Sequence, residues 1–266
     1  MEIKEYVKQQ KEALIKEISE LKVTPSFVIM QVNDDPASNA YIKGKIKDAN
    51  EVGIQVELKK FPIDISEADL LKEIEKVNND SRIHGLIVQM PLPKHINEEK
   101  VKLAVSPKKD IDGFHPLSSI NPCTPKGIID YLKSEHTDFV GKNAVVIGRS
   151  NIVGKPLAHL LLKENCNVTI LHSKTKREDM ERYIANADII AIAIGRCEFL
   201  DDSFSYKPTA TIVDVGINRT EEGLKGDAKR GLPVALQTPV PGGVGLLTRL
   251  SLLKNLLEAY HHEIKD

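Results

Sequence analysis

The sequence predicts an α/β protein made of two α/β units, the second of which is Rossmann-like with a parallel sheet. Apolar runs with strand character alternate with helical patterns along the chain, as in proteins with mainly parallel sheets. A second alternating series begins at residue 143, after a polar stretch at 134–140, and its first strand runs into a glycine turn. The simplest organisation is therefore two units joined near residues 115–140.

Local patterns justify each element of the first unit. Apolar residues at helical spacing predict the first helix, and a Pro-Ala-Ser sequence predicts a second helix that begins near Ala37–Ser38 and ends at Gly53. Ser66 and Asp69 form a capping-box pattern. The predicted elements are a helix at 3–22, a strand at 27–32, a helix at 37–53, a strand at 54–61, a helix at 66–78, a strand at 85–89 and a helix at 98–105.

The second unit follows from similar signals. Thr124 and Pro125 predict an N-cap and the first position of a helix. Leucines at helical spacing near the end of the chain predict a final packed helix. The predicted elements are a helix from 125 to about 132, strands at 143–147, 167–171, 188–194 and 210–215, and a helix at 244–262.

The composition argues against several classes of protein. Hydrophobic residues make up 41% and charged residues 28%, as in globular proteins, and a net charge of −1 without a basic run argues against nucleic-acid binding. No apolar stretch approaches membrane-spanning length, and the charged N-terminus lacks the apolar core of a signal peptide. The three cysteines are far apart and no histidine pair has a carboxylate in reach. We therefore expect a cytoplasmic protein with reduced thiols and no metal.

Tyr41 and Lys45 are the first candidates for catalysis. A spacing of four places the phenol and the amine on one face of the predicted helix. In a cleft, such a pair can act as an acid/base unit. A half-buried tyrosine beside a solvated lysine is the structural alternative, and the spacing alone does not choose between them.

The segment GRSNIVGKP at 148–156 predicts a nucleotide-binding turn between a strand and a helix. Gly148 allows the turn, Gly154 lets the helix approach the sheet, and the helix N-terminus can receive a pyrophosphate. Ser150 takes the place of the middle glycine of the common motif. Dinucleotide binding and a purely structural strand–turn–helix therefore both stay open at this point.

The end of the next strand bears on which dinucleotide would bind. NAD sites usually carry an acid there for the ribose 2′-hydroxyl. The segment HSKTK at 172–176 instead offers a hydroxyl and cations, and Arg149 lies in the glycine turn. This pattern favours the 2′-phosphate of NADP over NAD, although a solvated basic loop is an alternative. The strand ends at 193–195 and 214–218 also carry glycines, and such ends line the ligand crevice of these sheets.

Together these segments resemble the bifunctional methylenetetrahydrofolate dehydrogenase / methenyltetrahydrofolate cyclohydrolase family. The resemblance covers residues 34–245, with the segments in the order of the family. It is carried by DDPAS at 34–38 with Tyr41 and Lys45, VQMPLP at 88–93, KDIDGFHP at 109–116, PCTP at 122–125, GRSNIVGKP at 148–156, HSKT at 172–175, DVGIN at 214–218 and TPVPGGVG at 238–245.

The resemblance implies a fold and two activities. It implies a folate-binding catalytic domain at 1–118 joined by the C-terminal helix at 244–266, an NADP-binding domain at 119–243, and a cleft between them. The implied reactions are the NADP-dependent oxidation of 5,10-methylenetetrahydrofolate to 5,10-methenyltetrahydrofolate and its hydrolysis to 10-formyltetrahydrofolate, in one-carbon metabolism and purine biosynthesis. Tetrahydrofolate derivatives are the implied substrates, and homodimers are usual in similar proteins.

The resemblance also implies residue roles. Lys45 would be the catalytic lysine, Gln89 its partner, and Tyr41 a residue that lies against the folate. The implied substrate-binding residues are Tyr41, Asp112, Pro239, Gly242 and Gly243, with Asp112 holding the pterin. The implied cofactor-binding residues are Gly148, Arg149, Ser150, Val153, Gly154, His172, Ser173, Thr175, Gly195, Gly216 and Ile217, of which Arg149, Ser150 and Ser173 would hold the phosphate.

Two departures from the family pattern keep other interpretations open. The connection at 117–121 is shorter than in similar proteins, and Leu246 and Leu247 stand where Pro-Met is usual. One alternative is a folate- or NADP-binding protein that retains only one activity or none. Another is a shikimate-dehydrogenase-like oxidoreductase. A short-chain dehydrogenase is a third, although there Tyr-x-x-x-Lys follows the glycine turn, whereas here it precedes it.

Overall fold

A computed structural model describes residues 1–265 and divides the chain into two compact units. The three-stranded unit consists of Lys8–Cys123 and the chain from Arg249 onward, and the five-stranded unit consists of Met1–Val7 and Thr124–Thr248. Helices α1 (Ile3–Ser19) and α8 (Val244–Lys265) contribute residues to both units. The predicted end of the last helix at 266 lies outside the described residues, and the domain limits at 118 and 243 stay predictions.

The three-stranded unit contains a parallel sheet of order β2-β1-β3. Each strand is followed by a helix, as the alternating pattern predicts. Besides α1 and α8, its elements are β1 (Ser26–Gln31), α2 (Pro36–Glu51), β2 (Gln55–Lys60), α3 (Glu67–Asn78), β3 (Gly85–Val88) and α4 (Glu98–Ala104).

Caps locate the helices of this unit. The N–H of Ser38 donates to Asp35 Oδ2 over 2.8 Å, and Asp35 therefore caps α2 with Pro36 at its first position. The N–H of Asp69 donates to Ser66 Oγ over 3.1 Å, which confirms the predicted start of α3. Helix α1 ends at Ser19, before the predicted limit of 22.

Packing aligns the ends of β1 and β3. Met30 of β1 and Val88 of β3 are register partners, and both lie in an apolar core with Leu70 and Ile74 of α3. Because parallel strands end at the same edge of a sheet, the residues after β3 lie beside the end of β1. Accordingly, the N–H of Gln89 donates to the carbonyl of Met30 over 2.8 Å.

Helix α2 is anchored one turn beyond Lys45 by a buried carboxylate. Asp48 accepts from Lys11 Nζ over 2.7 Å and from Arg249 Nε over 2.5 Å, and its side chain is only 8% exposed. These bonds join α2 to α1 and α8 within the three-stranded unit. Two cations around one carboxylate therefore fix the helix that carries Tyr41 and Lys45.

The five-stranded unit has a fully parallel sheet of order β10-β7-β6-β4-β5, which confirms the Rossmann-like prediction. An antiparallel hairpin of β8 and β9 accompanies it. Its elements are α5 (Cys123–Ser134), β4 (Asn143–Ile147), α6 (Gly154–Lys163), β5 (Asn167–Leu171), α7 (Arg177–Ala185), β6 (Ile189–Ile192), β7 (Thr211–Asp214), β8 (Asn218–Thr220), β9 (Gly223–Lys225) and β10 (Leu236–Gln237).

The start of α5 differs from the prediction. The helix already includes Cys123, so Thr124 is not its N-cap. Thr124 Oγ1 instead lies 2.9 Å from Thr248 Oγ1 and forms a hydrogen bond between side chains of the five-stranded unit. The Thr124 hydroxyl therefore forms a hydrogen bond with a residue far away in sequence and does not cap the helix.

Neither membrane-spanning helices nor metal clusters occur in the described chain. No helix within residues 1–265 is both long and apolar enough to cross a bilayer. The described side chains likewise contain no group of three His, Cys, Asp or Glu residues placed to hold a metal ion. The three cysteines have free thiols, with Cys123 and Cys166 buried and Cys197 exposed.

Candidate active site

A buried lysine lies on the inner face of α2. Lys45 is 5% exposed and shares this face with Ile42 and Ala49. Lysine is almost never buried to this degree unless its ammonium has partners. The structure therefore excludes the alternative in which Lys45 is a solvated surface lysine beside a half-buried tyrosine.

Three predicted site residues surround the Lys45 amine. Lys45 Nζ lies 3.4 Å from Gln89 Oε1, 3.8 Å from Asp112 Oδ1 and 5.2 Å from the centre of the Tyr41 ring. Gln89 Nε2 donates to the carbonyl of Met90 over 2.8 Å, which turns Oε1 towards the lysine. Both lysine contacts are longer than an optimal hydrogen bond, so the amine can still bind another acceptor.

The loop that carries Asp112 is held by buried polar side chains. Lys109 Nζ donates to the carbonyls of Val77 and Asp80, over 3.1 and 2.7 Å. Asp110 accepts from the backbone N–H groups of Gly113 and His115, over 3.1 and 2.7 Å. Together these bonds secure the loop on both sides of Asp112.

Burial raises the pKa of Asp110 to about 6, and the nearby Asp112 carboxylate acts in the same direction. The N–H groups of His115 and Gly113 oppose this change without cancelling it. The folded chain therefore binds this proton more tightly than the unfolded chain, where the ordinary value is 3.8. The resulting stabilisation is complete below pH 3.8 and is lost as the pH rises through about 6.

We expect Asp110→Asn to change how stability depends on pH. Asparagine does not ionise, so the free energy of unfolding of the wild type, minus that of the variant, should fall by up to about 3 kcal/mol between about pH 4 and pH 7. Urea unfolding of both proteins across this range measures the difference. A difference that stays constant with pH would contradict the raised pKa.

The short connection at 117–121 is tied to the same loop. The N–H of Leu117 donates to His115 Nδ1 over 3.0 Å. From α8, Asn255 Nδ2 donates to the carbonyls of Ile111 and Asn121, over 2.9 and 3.0 Å. The shortened segment therefore coexists with an ordered Asp112 loop within the three-stranded unit.

In the five-stranded unit, two glycines form the turn after β4. Gly148 has a φ of +121°, and a Cβ there would lie 2.5 Å from the carbonyl oxygen of Ala193. A Cβ at Gly154 would lie 2.3 Å from the carbonyl oxygen of Gly148, so the predicted close approach of helix and turn is present. Ser150 Oγ accepts from the N–H groups of Val153 and Gly154, both over 3.2 Å, at the start of α6. Ser150 therefore already has a structural role.

A cavity of about 470 Å³ lies where β4, β5 and β6 end. Its volume is in the range of small-molecule sites, and it lies at the carboxyl edge where parallel sheets bind nucleotides. Of the predicted cofactor residues, those that line it are Gly148, Arg149, His172, Ser173 and Thr175. Those that do not line it are Ser150, Val153, Gly154, Gly195, Gly216 and Ile217.

Several residues that line the cavity were not predicted from the sequence. The additional ones are Ile147, Arg177, Met180, Ala193, Ile194, Arg196 and Phe199. Arg196 and Phe199 follow β6, whose glycine-containing end did carry a signal. Arg177 and Met180 are in α7, where nothing in the local pattern distinguishes cavity residues from surface residues.

The loop at 239–243, which the resemblance implies borders the folate, belongs to the five-stranded unit. A Cβ at Gly243 would lie 2.1 Å from the carbonyl oxygen of Pro239, so the loop is tight. Arg230 donates to the carbonyl of Val240 over 2.5 Å, and Gly242 lines a further cavity of about 620 Å³ in this unit. Contact of Pro239, Gly242 and Gly243 with folate stays a prediction.

Comparison with known families matches both parts of the chain. Residues 1–112 match the catalytic domain of tetrahydrofolate dehydrogenase/cyclohydrolase, and residues 122–264 match the NAD(P)-binding domain of the same family. The chain belongs to the tetrahydrofolate dehydrogenase/cyclohydrolase family. The resemblance drawn from the sequence motifs, the fold class and the enzyme class are therefore confirmed.

Relatives of the same family share nearly the full length of the chain. The bifunctional protein FolD of Enterococcus faecalis is 45% identical over 258 residues, covering 92% of this chain and 91% of the relative. FolD of Bacillus subtilis is 43% identical over 272 residues, covering 96% and 95%. Family membership decides against the shikimate-dehydrogenase and short-chain dehydrogenase alternatives.

Solved structures of family members have the same fold. FolD of Campylobacter jejuni superposes with a TM-score of 0.94 at 36% identity, over 98% of each chain. The Trypanosoma brucei enzyme, solved with NADP and an inhibitor, has a TM-score of 0.94 at 27% identity, over 100% of this chain and 98% of that one. The short 117–121 connection is thus compatible with the family fold.

Proposed function

We propose that the chain oxidises 5,10-methylenetetrahydrofolate with NADP and hydrolyses the product to 10-formyltetrahydrofolate, with Lys45 as the proton-transfer residue of the hydrolysis. The observation that carries this assignment is the buried Lys45 amine, which lies between Gln89 Oε1 and Asp112 Oδ1. An amine and an amide near one point can move a proton and donate a hydrogen bond to a tetrahedral intermediate.

Asp112 links substrate binding to the position of the lysine. Its carboxylate can accept from the pterin amine and the adjacent ring N–H, as an acceptor facing two donors. Before substrate binds, the same carboxylate lies 3.8 Å from Lys45 Nζ and acts as its counter-ion. Once the pterin engages Asp112, the carboxylate is shared between the substrate and Lys45 Nζ, which places the amine next to the bound pterin.

The oxidation makes different demands on the protein. When bound, a nicotinamide cofactor would supply the hydride acceptor. Loss of hydride leaves a cation that the two substrate nitrogens share, so no side-chain base is required. The chain contributes by holding substrate and cofactor, and such positioning can lower the barrier by about 7–11 kcal/mol. Tyr41 contributes to this step by shaping the folate pocket.

The residues around the 470 Å³ cavity fit a phosphorylated nucleotide. The turn formed by Gly148 and Gly154 has no room for a Cβ at either position. At the end of β5, Ser173 lines the cavity in place of an acid, and Arg149 lines it from the turn. The serine in place of an acid and the nearby arginine both support NADP over NAD. The homodimer and the cytoplasmic location stay predictions.

An absorbance assay of the purified protein tests both activities. We expect 5,10-methylenetetrahydrofolate with NADP to give methenyltetrahydrofolate, with a lower rate for NAD at equal concentration. The methenyl absorbance should then decay faster than in buffer without protein. Formation without accelerated decay would leave only the dehydrogenase. No change with either cofactor would favour a binding protein that has lost turnover.

A further inference from the structure

The cofactor cavity is strongly cationic. Three arginines line it, Arg149, Arg177 and Arg196, together with His172. None of its lining residues in the described chain is an aspartate or a glutamate. A cavity of this charge is complementary to a ligand with several phosphates. The three guanidinium groups differ, however, in how far they are already neutralised.

Arg177 is already paired. Its Nε donates to Glu181 Oε1 over 2.5 Å, and its Nη2 donates to Ser203 Oγ over 2.9 Å. The guanidinium also lies 3.9 Å from the centre of the Phe204 ring. A carboxylate partner, a hydroxyl and an aromatic face leave it little capacity for an additional anion.

Arg196, unlike Arg177, is not paired with a carboxylate of the described chain. Its guanidinium lies 4.9 Å from the centre of the Phe199 ring, and no carboxylate within the described residues forms an ion pair with it. Its backbone is fixed, because the N–H of Arg196 donates to Asp227 Oδ1 over 2.8 Å. The N–H groups of Ile194 and Gly195 donate to Asp227 Oδ2, over 2.7 and 2.9 Å. A hydrogen-bonded turn thus presents a cation without a counter-ion among the described side chains.

The sheet order defines where this cation approaches the ligand. In the order β6-β4-β5, the loops after β6 and β5 flank the glycine turn of β4 on its two sides. Arg196 follows β6, whereas Ser173 follows β5, and both line the same cavity. An anion between these loops can therefore be bound from both sides.

We propose that Arg196 is a specificity-determining residue that binds the 2′-phosphate of NADP from the β6 side, facing Arg149 and Ser173. This assignment rests on the NADP preference proposed above. A guanidinium can form paired hydrogen bonds to a phosphate but gains nothing comparable from a ribose hydroxyl. Arg196 therefore contributes to the affinity for NADP and not to that for NAD.

The test measures NADP and NAD affinities for wild type, Arg196→Gln and Arg177→Gln by calorimetric titration of the full chain. A hydrogen bond to a charged group contributes about 1.5–3 kcal/mol, so we expect Arg196→Gln to weaken NADP binding at least about tenfold. Its affinity for NAD should be unchanged, which also shows that the variant is folded. Arg177→Gln, the matched control, should keep the wild-type ratio of the two affinities.

Two results would overturn the assignment of Arg196. Equal weakening of NADP and NAD would place the guanidinium on the shared part of the cofactor, and an unchanged NADP affinity would remove it from the site. In both cases a wild-type preference for NADP would leave the proposed function intact. A wild type without that preference would overturn the cofactor proposal and the role of Arg196 together.

Discussion

We expect Lys45→Met to abolish hydrolysis of methenyltetrahydrofolate while folate binding persists. Methionine keeps the length and apolar stem of lysine but removes the amine near Gln89 and Asp112. General acid–base catalysis by a positioned side chain contributes about 10²–10⁴-fold, and the hydrolysis rate should fall by that factor. The decay of methenyl absorbance and a folate titration measure the two quantities.

Lys43→Met is the matched control for this substitution. Lys43 lies on the same helix, but its side chain is exposed rather than buried. We expect its hydrolysis rate to equal that of the wild type. If Lys45→Met hydrolysed methenyltetrahydrofolate at the wild-type rate, the assignment of Lys45 would be wrong. A parallel loss of folate binding would instead indicate a role in binding.

The second large effect is expected for Asp227→Ala, which should destabilise the five-stranded unit. Asp227 is fully buried and accepts from the three consecutive N–H groups of 194–196 and from Asn218 Nδ2 over 3.0 Å. A hydrogen bond contributes about 0.5–1.5 kcal/mol, so the loss of four bonds with partly buried donors should cost about 3–5 kcal/mol in total. Urea unfolding measures the loss.

The same substitution should weaken cofactor binding, because the turn at 194–196 contributes Ile194 and Arg196 to the cavity wall. Asp202→Ala is the matched control, since Asp202 is exposed and pairs with Lys229 at the surface. Such pairs contribute between 0 and about 1 kcal/mol. A loss of less than about 1 kcal/mol for Asp227→Ala would contradict the proposed importance of this carboxyl group.

Local sequence patterns predicted much of the fold. The capping pattern at Ser66 and the proline at position 36 locate two helices within a residue or two, because caps act through neighbours in the chain. Strand β4 and strand β5 have the predicted bounds, since both are short apolar runs bordered by turns. The short strands β8, β9 and β10 were missed, because two or three residues carry no recognisable period.

For the candidate site, the sequence predicted the residues better than their arrangement. Motif order led to Tyr41, Lys45, Gln89 and Asp112, and the structure brings these four together around one amine. The sequence offered no reason to place the Asp112 carboxylate beside the lysine. That position results from the hydrogen bonds that hold the Asp112 loop. Ser150 as a phosphate-binding residue stays a prediction, and its hydroxyl accepts from two N–H groups at the start of α6.

By itself, the sequence determined the family, the alternation of strands and helices, and the types of side chain available for catalysis. Those properties depend on composition and on spacing along the chain. Only the tertiary structure decided that Lys45 is buried between Gln89 and Asp112. It likewise decided that Arg177 pairs with a carboxylate, whereas no carboxylate among the described residues pairs with Arg196. Burial and ion pairing depend on groups far apart in sequence, which the packing of strands and helices brings within a few ångströms.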